Sequence, residues 1–143
     1  YMNSGNDRIM GREFGTVIYG AGKGIWKTFE DYVNGAERYF LGKNALFYFG
    51  DLDFEGILIF EHLIEQKQYR ESGIHIFKEA YEKMLDKAWQ LGFSRLPDMK
   101  EKQNANIGTS FLSAFDAERR YQIRELLEMG KYIPQEILNE HDW

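Results

Sequence analysis

The sequence predicts an α/β fold in which helices flank a parallel sheet. Short apolar runs typical of buried strands occur three times, at Thr16–Tyr19, Ala45–Gly50 and Ile74–Phe77. Each run is followed by a segment with helical periodicity, and the links are short, which favours parallel neighbouring strands. The Ala45–Gly50 run has no alternating polar residues, so we expect it to form the central strand, buried on both faces.

Length and composition predict a single globular domain over residues 1–143. Hydrophobic residues make up 43% of the chain and aromatic residues 16%, which is enough for a substantial core. The sequence contains no cysteine, which excludes disulfides and thiolate metal sites and fits a cytoplasmic location. No apolar run reaches membrane-spanning length. The net charge of −5 restricts contact with nucleic acid to a local basic patch.

A glycine-rich turn after the first apolar run is a candidate anion site. Gly20–Gly24 lies between the Thr16–Tyr19 run and a predicted helix over Ile25–Val33. The spacing matches neither a P-loop nor the dinucleotide-binding fingerprint. Free N–H groups such as that of Gly22, together with the cation of Lys23, are suited to holding a phosphate. The alternative is a tight turn with an exposed lysine.

Two aspartates after the predicted central strand are the main candidates for chemistry. Asp51 and Asp53 lie between that strand and a predicted helix over Ile57–Gln68, at the sheet edge where α/β proteins bind ligands. Two ionised carboxylates this close repel each other, and a hard cation such as Mg²⁺, with Mn²⁺ as a substitute, compensates them. The alternative is that Asp51 only caps the helix, with Asp53 and Glu55 in its positively polarised first turn.

The second half of the chain is predicted to be mainly helical. We expect helices over Glu79–Leu91 and Ala114–Met129, ended by Gly92 and Gly130 and separated by a loop over Phe93–Asn106. Apolar stripes predict which positions face the core. These positions are Ala80, Met84, Leu85, Ala88 and Trp89 in the first helix and Phe115, Tyr121, Ile123, Leu126 and Leu127 in the second, while Arg119, Arg120 and Arg124 face water.

A last short helix is predicted in the segment Ile133–Leu138, with Pro134 at its start. Glu136 lies in the first turn of this helix. It is either a favourable contact with the helix dipole or a functional carboxylate, and the local pattern fits both.

Three of these segments together resemble a known family. Phe49–Gly56, with two aspartates and a glycine after an aromatic strand, resembles the Asp-x-Asp-x-x-Gly motif of Toprim domains. With Tyr19–Gly22 upstream and Ile133–Leu138 at the end, the chain is similar to the C-terminal domain of the Wadjet nuclease subunit JetD. That domain is itself like the A subunit of topoisomerase VI. The resemblance covers most of the chain, from about Thr16 to Leu138.

The resemblance implies a Toprim-like (Rossmann-like) fold and Mg²⁺-dependent DNA cleavage in an anti-plasmid defence system. It implies Asp51 and Asp53 as metal ligands, with Glu136 brought near them as a further catalytic carboxylate. The implied partners are DNA and SMC-like condensin subunits, with a homodimer left open and no membrane. Toprim domains also use a glutamate after an earlier strand. We expect that strand to precede Tyr1, which makes the chain a C-terminal fragment that is inactive in isolation.

Two other functions are compatible with the sequence. A haloacid-dehalogenase-like phosphatase also places Asp-x-Asp after a strand, with Asp51 as nucleophile and Asp53 as acid, but that family has Thr or Val where Glu55 stands here. A non-catalytic interaction module would use the turn for capping alone. A change in melting temperature linked to Mg²⁺ or Mn²⁺ distinguishes a metal site from such a module.

Overall fold

The computed structural model describes residues 8–17, 20, 22–27, 45–66 and 73–143. These residues form a mixed α/β structure. The strands are β1 (Arg8–Ile9), β2 (Arg12–Glu13), β3 (Leu46–Tyr48) and β4 (Ile74–Ile76). The helices are α1 (Phe54–Glu65), α2 (Lys78–Leu91), α3 (Ser110–Ser113) and α4 (Ala117–Glu128), with 3₁₀ turns at Gly22–Gly24, Phe93–Arg95 and Gln135–Ile137.

The parallel pairing predicted for the second and third apolar runs is confirmed. Strand β3 pairs with β4, with Leu46 opposite Ile74 and Tyr48 opposite Ile76. The prediction that β3 is buried on both faces is wrong, since its residues are only partly buried. The physical reason is a wide cleft that this strand borders. Within the described part of the chain β3 has this one partner, so its central position in a larger sheet stays a prediction.

The strand predicted at Thr16–Tyr19 is wrong for the two residues of it that are described. Thr16 and Val17 lie outside any strand, and the Val17 side chain is 60% exposed. The other two residues lie outside the described part. A four-residue apolar run does not specify a strand by itself, because strand formation depends on neighbours to pack against. Of the helix predicted over Ile25–Val33, residues 25–27 are helical and the others are not described.

Helix α1 starts earlier than predicted because a different aspartate caps it. Its first residue is Phe54, and its N-cap is Asp53, whose side chain accepts a hydrogen bond from the Gly56 N–H. The prediction of Asp51 as the cap is therefore wrong. One face of α1 is apolar and buried, but Glu61 on that helix is also buried, which the periodicity did not predict.

Helix α2 confirms its predicted span to within one residue. It is capped by Gly92, which adopts a φ of 83° and donates its N–H to the carbonyl of Ala88. The prediction that Trp89 faces the core is wrong, since its side chain is 57% exposed. Tyr81 takes the inward position instead and is fully buried, because it lies three residues before Met84 on the same face.

The helix predicted over Ala114–Met129 begins three residues later, at Ala117, and the separate short helix α3 precedes it. Residues 114–116 separate α3 from α4. Asp116 is the N-cap of α4, and its side chain accepts a hydrogen bond from the Arg119 N–H. Phe115 is buried between the two helices, whereas Tyr121 is 67% exposed and not inward-facing as predicted. Gly130 (φ 69°) ends α4 as predicted.

Two of the three arginines predicted to face water are partly buried. Arg119 forms an ion pair with Asp86, with 2.7 Å between nitrogen and oxygen, and Arg120 donates to the carbonyl of Phe115. Arg124 is exposed as predicted. Arginine has a long stem and a forked head, so it can pack along the surface while its charge is paired.

The main hydrophobic core lies between the helices and the β3–β4 sheet. Its fully buried side chains include Leu52, Ile57, Tyr81, Phe111 and Ile133. Because Leu52 and Ile133 both contribute, the core joins the turn after β3 to the C-terminal segment. None of the described helices is long and apolar enough to cross a membrane.

Candidate metal and nucleic-acid site

The candidate site is built where the turn after β3 meets the C-terminal segment. Leu52 donates its N–H to the Ile133 carbonyl at 2.9 Å, and the Ile133 N–H donates back to Leu52 at 3.2 Å. This antiparallel bridge places Pro134 and the following 3₁₀ turn beside residues 50–53, which we call the aspartate turn. The position of both segments is therefore fixed by backbone hydrogen bonds between two buried residues.

Asp51 is held by this C-terminal segment in an environment that disfavours its charge. Its Oδ1 accepts the backbone N–H of Gln135 at 2.9 Å. Burial raises the pKa of Asp51, and the negative charges of Asp53 and Glu136 raise that pKa further, while the Gln135 N–H and the Lys100 cation oppose the rise. A carboxylate whose ionised form is disfavoured in this way is a common feature of functional sites.

Asp53 is more deeply buried and has both oxygens in hydrogen bonds. Only 8% of the residue is exposed. Its Oδ1 accepts the N–H of Gly56 at 2.7 Å, and its Oδ2 accepts the side-chain Nε2 of Gln103 at 2.7 Å. Capping is thus part of the role of Asp53. A carboxylate offers about four lone-pair sites, so these two bonds leave room for a cation.

The structure brings the three predicted carboxylates to one cleft. Asp51, Asp53 and Glu136 all line a cleft of about 780 Å³ that β3 also borders. Glu136 is also close enough to Asp51 to influence its pKa. The expectation that the last segment returns to the edge of the sheet beside the aspartates is therefore met by the geometry.

The predicted phosphate-binding residues lie beside this cleft. Gly22 lines it, in a left-handed conformation with φ of 66°. Lys23 borders a neighbouring cleft of about 490 Å³, and its Nζ is 3.7 Å from a carboxylate oxygen of Glu55 in the first turn of α1. The glycine turn and the aspartate turn therefore meet at the start of α1, and the Lys23 side chain remains largely exposed.

The residues present suit Mg²⁺ better than a metal that needs many protein ligands. Within residues 8–17, 20, 22–27, 45–66 and 73–143, no group of three or more His, Cys, Asp or Glu side chains is arranged to hold a metal ion. Mg²⁺ is usually held by one or two carboxylates, with water and substrate phosphates as its other ligands. A buried acceptor atom beside Asp53 also fits a cation, because Gln103 Oε1 lacks a hydrogen-bond partner among the described atoms.

Sequence reasoning missed two residues that shape the turn. Tyr81 accepts the Gly50 N–H at 3.0 Å on its phenolic oxygen, and burial raises the pKa of Tyr81 well above its ordinary value, so it stays neutral. Tyr48 donates its hydroxyl to the Gly56 carbonyl at 2.9 Å. The helical spacing between Tyr81 and Met84 indicates that Tyr81 is buried. The local pattern around Tyr48 indicates only an apolar strand and not its hydrogen bond.

A third missed residue, Glu61, anchors the loop that precedes α3. Its carboxylate accepts the N–H of Gly108 at 2.6 Å and the N–H of Phe111 at 3.4 Å. A buried carboxylate held by backbone donors is an effective support for a loop. Glu61 therefore fixes the end of the segment that contains Gln103 and has a supporting role.

We expect Asp51→Asn to raise the melting temperature in EDTA at pH 7. The asparagine oxygen can still accept the Gln135 N–H, but the partly buried charge is removed. Because the folded-state pKa of Asp51 is raised, the stability linked to this group is present below its unfolded pKa of about 3.9 and is lost as pH rises through the folded value. The advantage of the variant should therefore shrink as thermal unfolding is measured from pH 7 down towards pH 4.

Asp98→Asn is the matched control for this prediction. It removes the same charge from a side chain that is 84% exposed and paired with Lys131 at 2.7 Å, and a pair with such an exposed carboxylate contributes little. An equal or lower melting temperature for Asp51→Asn than for the wild type at pH 7 would contradict the burial argument.

The chain matches no protein-family model, no curated protein and no solved structure. The resemblance to Toprim domains therefore rests on the motifs in the sequence and stays a prediction. The geometry of the aspartate turn and the chemistry of the side chains around it indicate the function.

Proposed function

We propose that this chain is the metal-binding part of a Mg²⁺-dependent, Toprim-type DNA-cleaving domain, acting with SMC-like subunits in an anti-plasmid defence system of the cytoplasm. The observation that supports it most directly is the placement of Asp51, Asp53 and Glu136 on one cleft. The two aspartates follow the carboxyl end of a strand in a parallel sheet, which is where ligands bind in α/β proteins. The raised pKa of Asp51 indicates negative charge that a cation would compensate.

Each residue of the turn has a defined part in this proposal. Asp51 and Asp53 hold the cation, and the N–H groups of Gln135 and Gly56 fix the orientation of the two carboxylates. When bound, Mg²⁺ would polarise the scissile phosphodiester and stabilise the leaving oxygen. Glu136 adds negative charge beside Asp51, which strengthens the attraction for a cation. The proposal covers strand cleavage by hydrolysis and by transesterification alike.

A backbone phosphate of the DNA has a proposed place at the glycine turn. Gly22 N–H and Lys23 lie beside the start of α1, next to the cleft of the aspartates. Phosphate contacts of this kind position the nucleic acid without reading its sequence. A phosphate would compete with Glu55 for Lys23, and their exposed ion pair at 3.7 Å opposes this only weakly.

Lys23→Ala is expected to weaken DNA binding by the complete protein and to make it less dependent on salt. Loss of one phosphate contact reduces the slope of log K against log salt concentration by about 1. The measurement is the affinity for a short DNA duplex at several salt concentrations. Lys83→Ala is the matched control, because Lys83 is a half-exposed lysine that also forms an ion pair, with Asp142. An unchanged slope for Lys23→Ala would argue against the contact.

Cleavage of supercoiled plasmid by the full-length protein with its SMC-like partners tests the proposed activity. We expect cleavage in Mg²⁺ or Mn²⁺ and none in EDTA. A lack of cleavage in all three conditions would contradict the proposal.

The capping bonds of Asp53 favour one alternative, a non-catalytic interaction module. In that case the aspartate turn would serve only to start α1 and to hold the C-terminal segment, as the hydrogen bonds of both aspartates allow. Thermal unfolding distinguishes the two functions. A metal site predicts a melting temperature that rises with Mn²⁺ concentration, because a ligand that binds only the folded state stabilises it. A module without a site predicts no change.

A further inference from the structure

Gln103 reaches the candidate site from a loop that is fixed at both ends. The loop follows the 3₁₀ turn Phe93–Arg95. At its start the Met99 N–H donates to the Gly130 carbonyl at 2.8 Å. At its far end Glu61 holds the Gly108 N–H. Gln103 lies between these anchors, and its Nε2 donates to Asp53 Oδ2 at 2.7 Å.

The other end of the same amide is an unexplained buried acceptor. Gln103 Oε1 is shielded from solvent and accepts no hydrogen bond from any atom in the described part of the chain. Leaving such a group unsatisfied costs about 1–3 kcal/mol, so an orphaned acceptor in a native structure calls for a partner. Turning the amide over does not supply one, because Oε1 would then face the carboxylate of Asp53, and both groups are acceptors.

A divalent cation resolves this conflict. Gln103 lines the same cleft as Asp51 and Asp53, so a cation held there would give its amide oxygen a partner, and carbonyl oxygens are suitable ligands for Mg²⁺ and Mn²⁺. The two ends of the amide then have distinct uses: Nε2 donates a hydrogen bond to Asp53, and Oε1 contributes to a cation site. Building on the proposed metal function, we propose that Gln103 is an oxygen ligand of the divalent cation, together with Asp51 and Asp53.

This assignment explains why two carboxylates suffice within the described residues. The third protein oxygen comes from an uncharged side chain. It also links the loop from Met99 to Gly108 to the site, because the loop position decides whether Oε1 reaches the cation.

The test measures Mn²⁺ binding by isothermal titration to the wild-type protein and to Gln103→Leu. We expect the variant to bind Mn²⁺ about 10- to 100-fold more weakly, the range seen when a residue supporting a metal site is removed. Gln90→Leu is the matched control, because it makes the same substitution on an exposed part of α2 and should bind as the wild type does. Melting in EDTA checks that each variant is folded.

Three outcomes separate this inference from the proposed function. If the wild type binds no Mn²⁺, the metal function itself fails, and the ligand assignment fails with it. If the wild type binds Mn²⁺ and Gln103→Leu binds it equally well, the metal function stands and the assignment of Gln103 is overturned. Binding that is lost or weakened in Gln103→Leu alone supports the assignment.

A spectroscopic measurement identifies direct coordination. In Mn²⁺-loaded protein labelled with ¹³C at the glutamine side-chain carbonyls, electron–nuclear double resonance should detect a ¹³C coupling. The coupling should disappear in Gln103→Leu, or in Gln103→Glu, which keeps the chain length, if the leucine variant does not fold. A wild-type spectrum without the coupling, or a coupling that persists in the variant, would overturn the assignment.

Discussion

Gly56→Ala is expected to disrupt the aspartate turn, lowering stability by about 1–3 kcal/mol and abolishing Mn²⁺ binding. A Cβ added to Gly56 would lie 2.2 Å from the backbone oxygen of Asp51 and 3.2 Å from Asp53 Oδ1. Both contacts involve the turn itself, and the closer one is to backbone that cannot rotate away. The hydrogen bond from the Gly56 N–H to Asp53 Oδ1 would be distorted in the same movement.

Urea unfolding and Mn²⁺ titration measure the two parts of this prediction. Gly15→Ala is the control, because no described atom lies within 4 Å of its added Cβ and its φ is not in the left-handed region. A change within about 0.5 kcal/mol is expected there. If Gly56→Ala had the stability and the Mn²⁺ affinity of the wild type, the prediction would be wrong, and the turn could accommodate a Cβ by a small backbone shift.

The Gly56 contacts also give a physical reason for the glycine in the Asp-x-Asp-x-x-Gly pattern. The third residue of the helix must pass close to the carbonyl of the first aspartate, and only a residue without a Cβ fits. The sequence predicted the turn from its two aspartates and flanking glycines, and the structure adds this steric requirement. The sequence did not predict which aspartate caps the helix, because Asp51 and Asp53 are both suitable capping residues close to its start.

The parts of the fold that the sequence predicted are those with regular periodicity. Helix α2 and the parallel pairing of β3 with β4 follow from apolar patterns over whole segments. Trp89 was wrongly predicted to be buried, because an apolar residue at the edge of the apolar face of a helix can be exposed without disturbing the packing of the core. The start of α4 was predicted three residues too early because Ala114 and Phe115 continue its apolar pattern, whereas Asp116 is its N-cap.

The candidate site was predicted only as far as its local residues. Asp51 and Asp53 follow from their place after a strand, and Glu136 followed from the resemblance of the terminal segment. Gln103 is 50 residues away from Asp53 in sequence, and nothing in its local pattern distinguishes it from an exposed loop glutamine. Contacts of this kind depend on how the loop is anchored at Glu61 and Gly130, which only the folded structure reveals.

The electrostatics of the turn suggest that stability and function oppose each other there. Burial and neighbouring negative charge raise the pKa of Asp51, so the ionised carboxylate is less favourable in the folded state. A residue kept for stability alone would be served as well by asparagine, which keeps the acceptor for Gln135. The presence of a partly buried carboxylate at this position therefore favours a role for its charge.

Asp51→Asn and Asp53→Asn are each expected to reduce plasmid cleavage by the full-length protein and its partners about 100-fold or more at limiting Mg²⁺. Each change removes one negative charge from the proposed cation site and keeps the side-chain shape. Asp51→Asn retains an oxygen for the Gln135 N–H, and Asp53→Asn retains one for the Gly56 N–H. The loss of activity is thus expected without loss of the turn.

Asp53→Asn has a further feature that preserves the fold. Its new amide nitrogen would face Gln103, whose Oε1 has no hydrogen-bond partner among the described residues. Turning the Gln103 amide over would pair that oxygen with the new donor, so the variant should fold with little loss of stability, as melting in EDTA can check. Asp98→Asn, which changes an exposed carboxylate, should cleave as the wild type does. Undiminished cleavage in both site variants would remove the nuclease proposal and leave Asp53 as a helix cap and Asp51 as an anchor for the C-terminal segment.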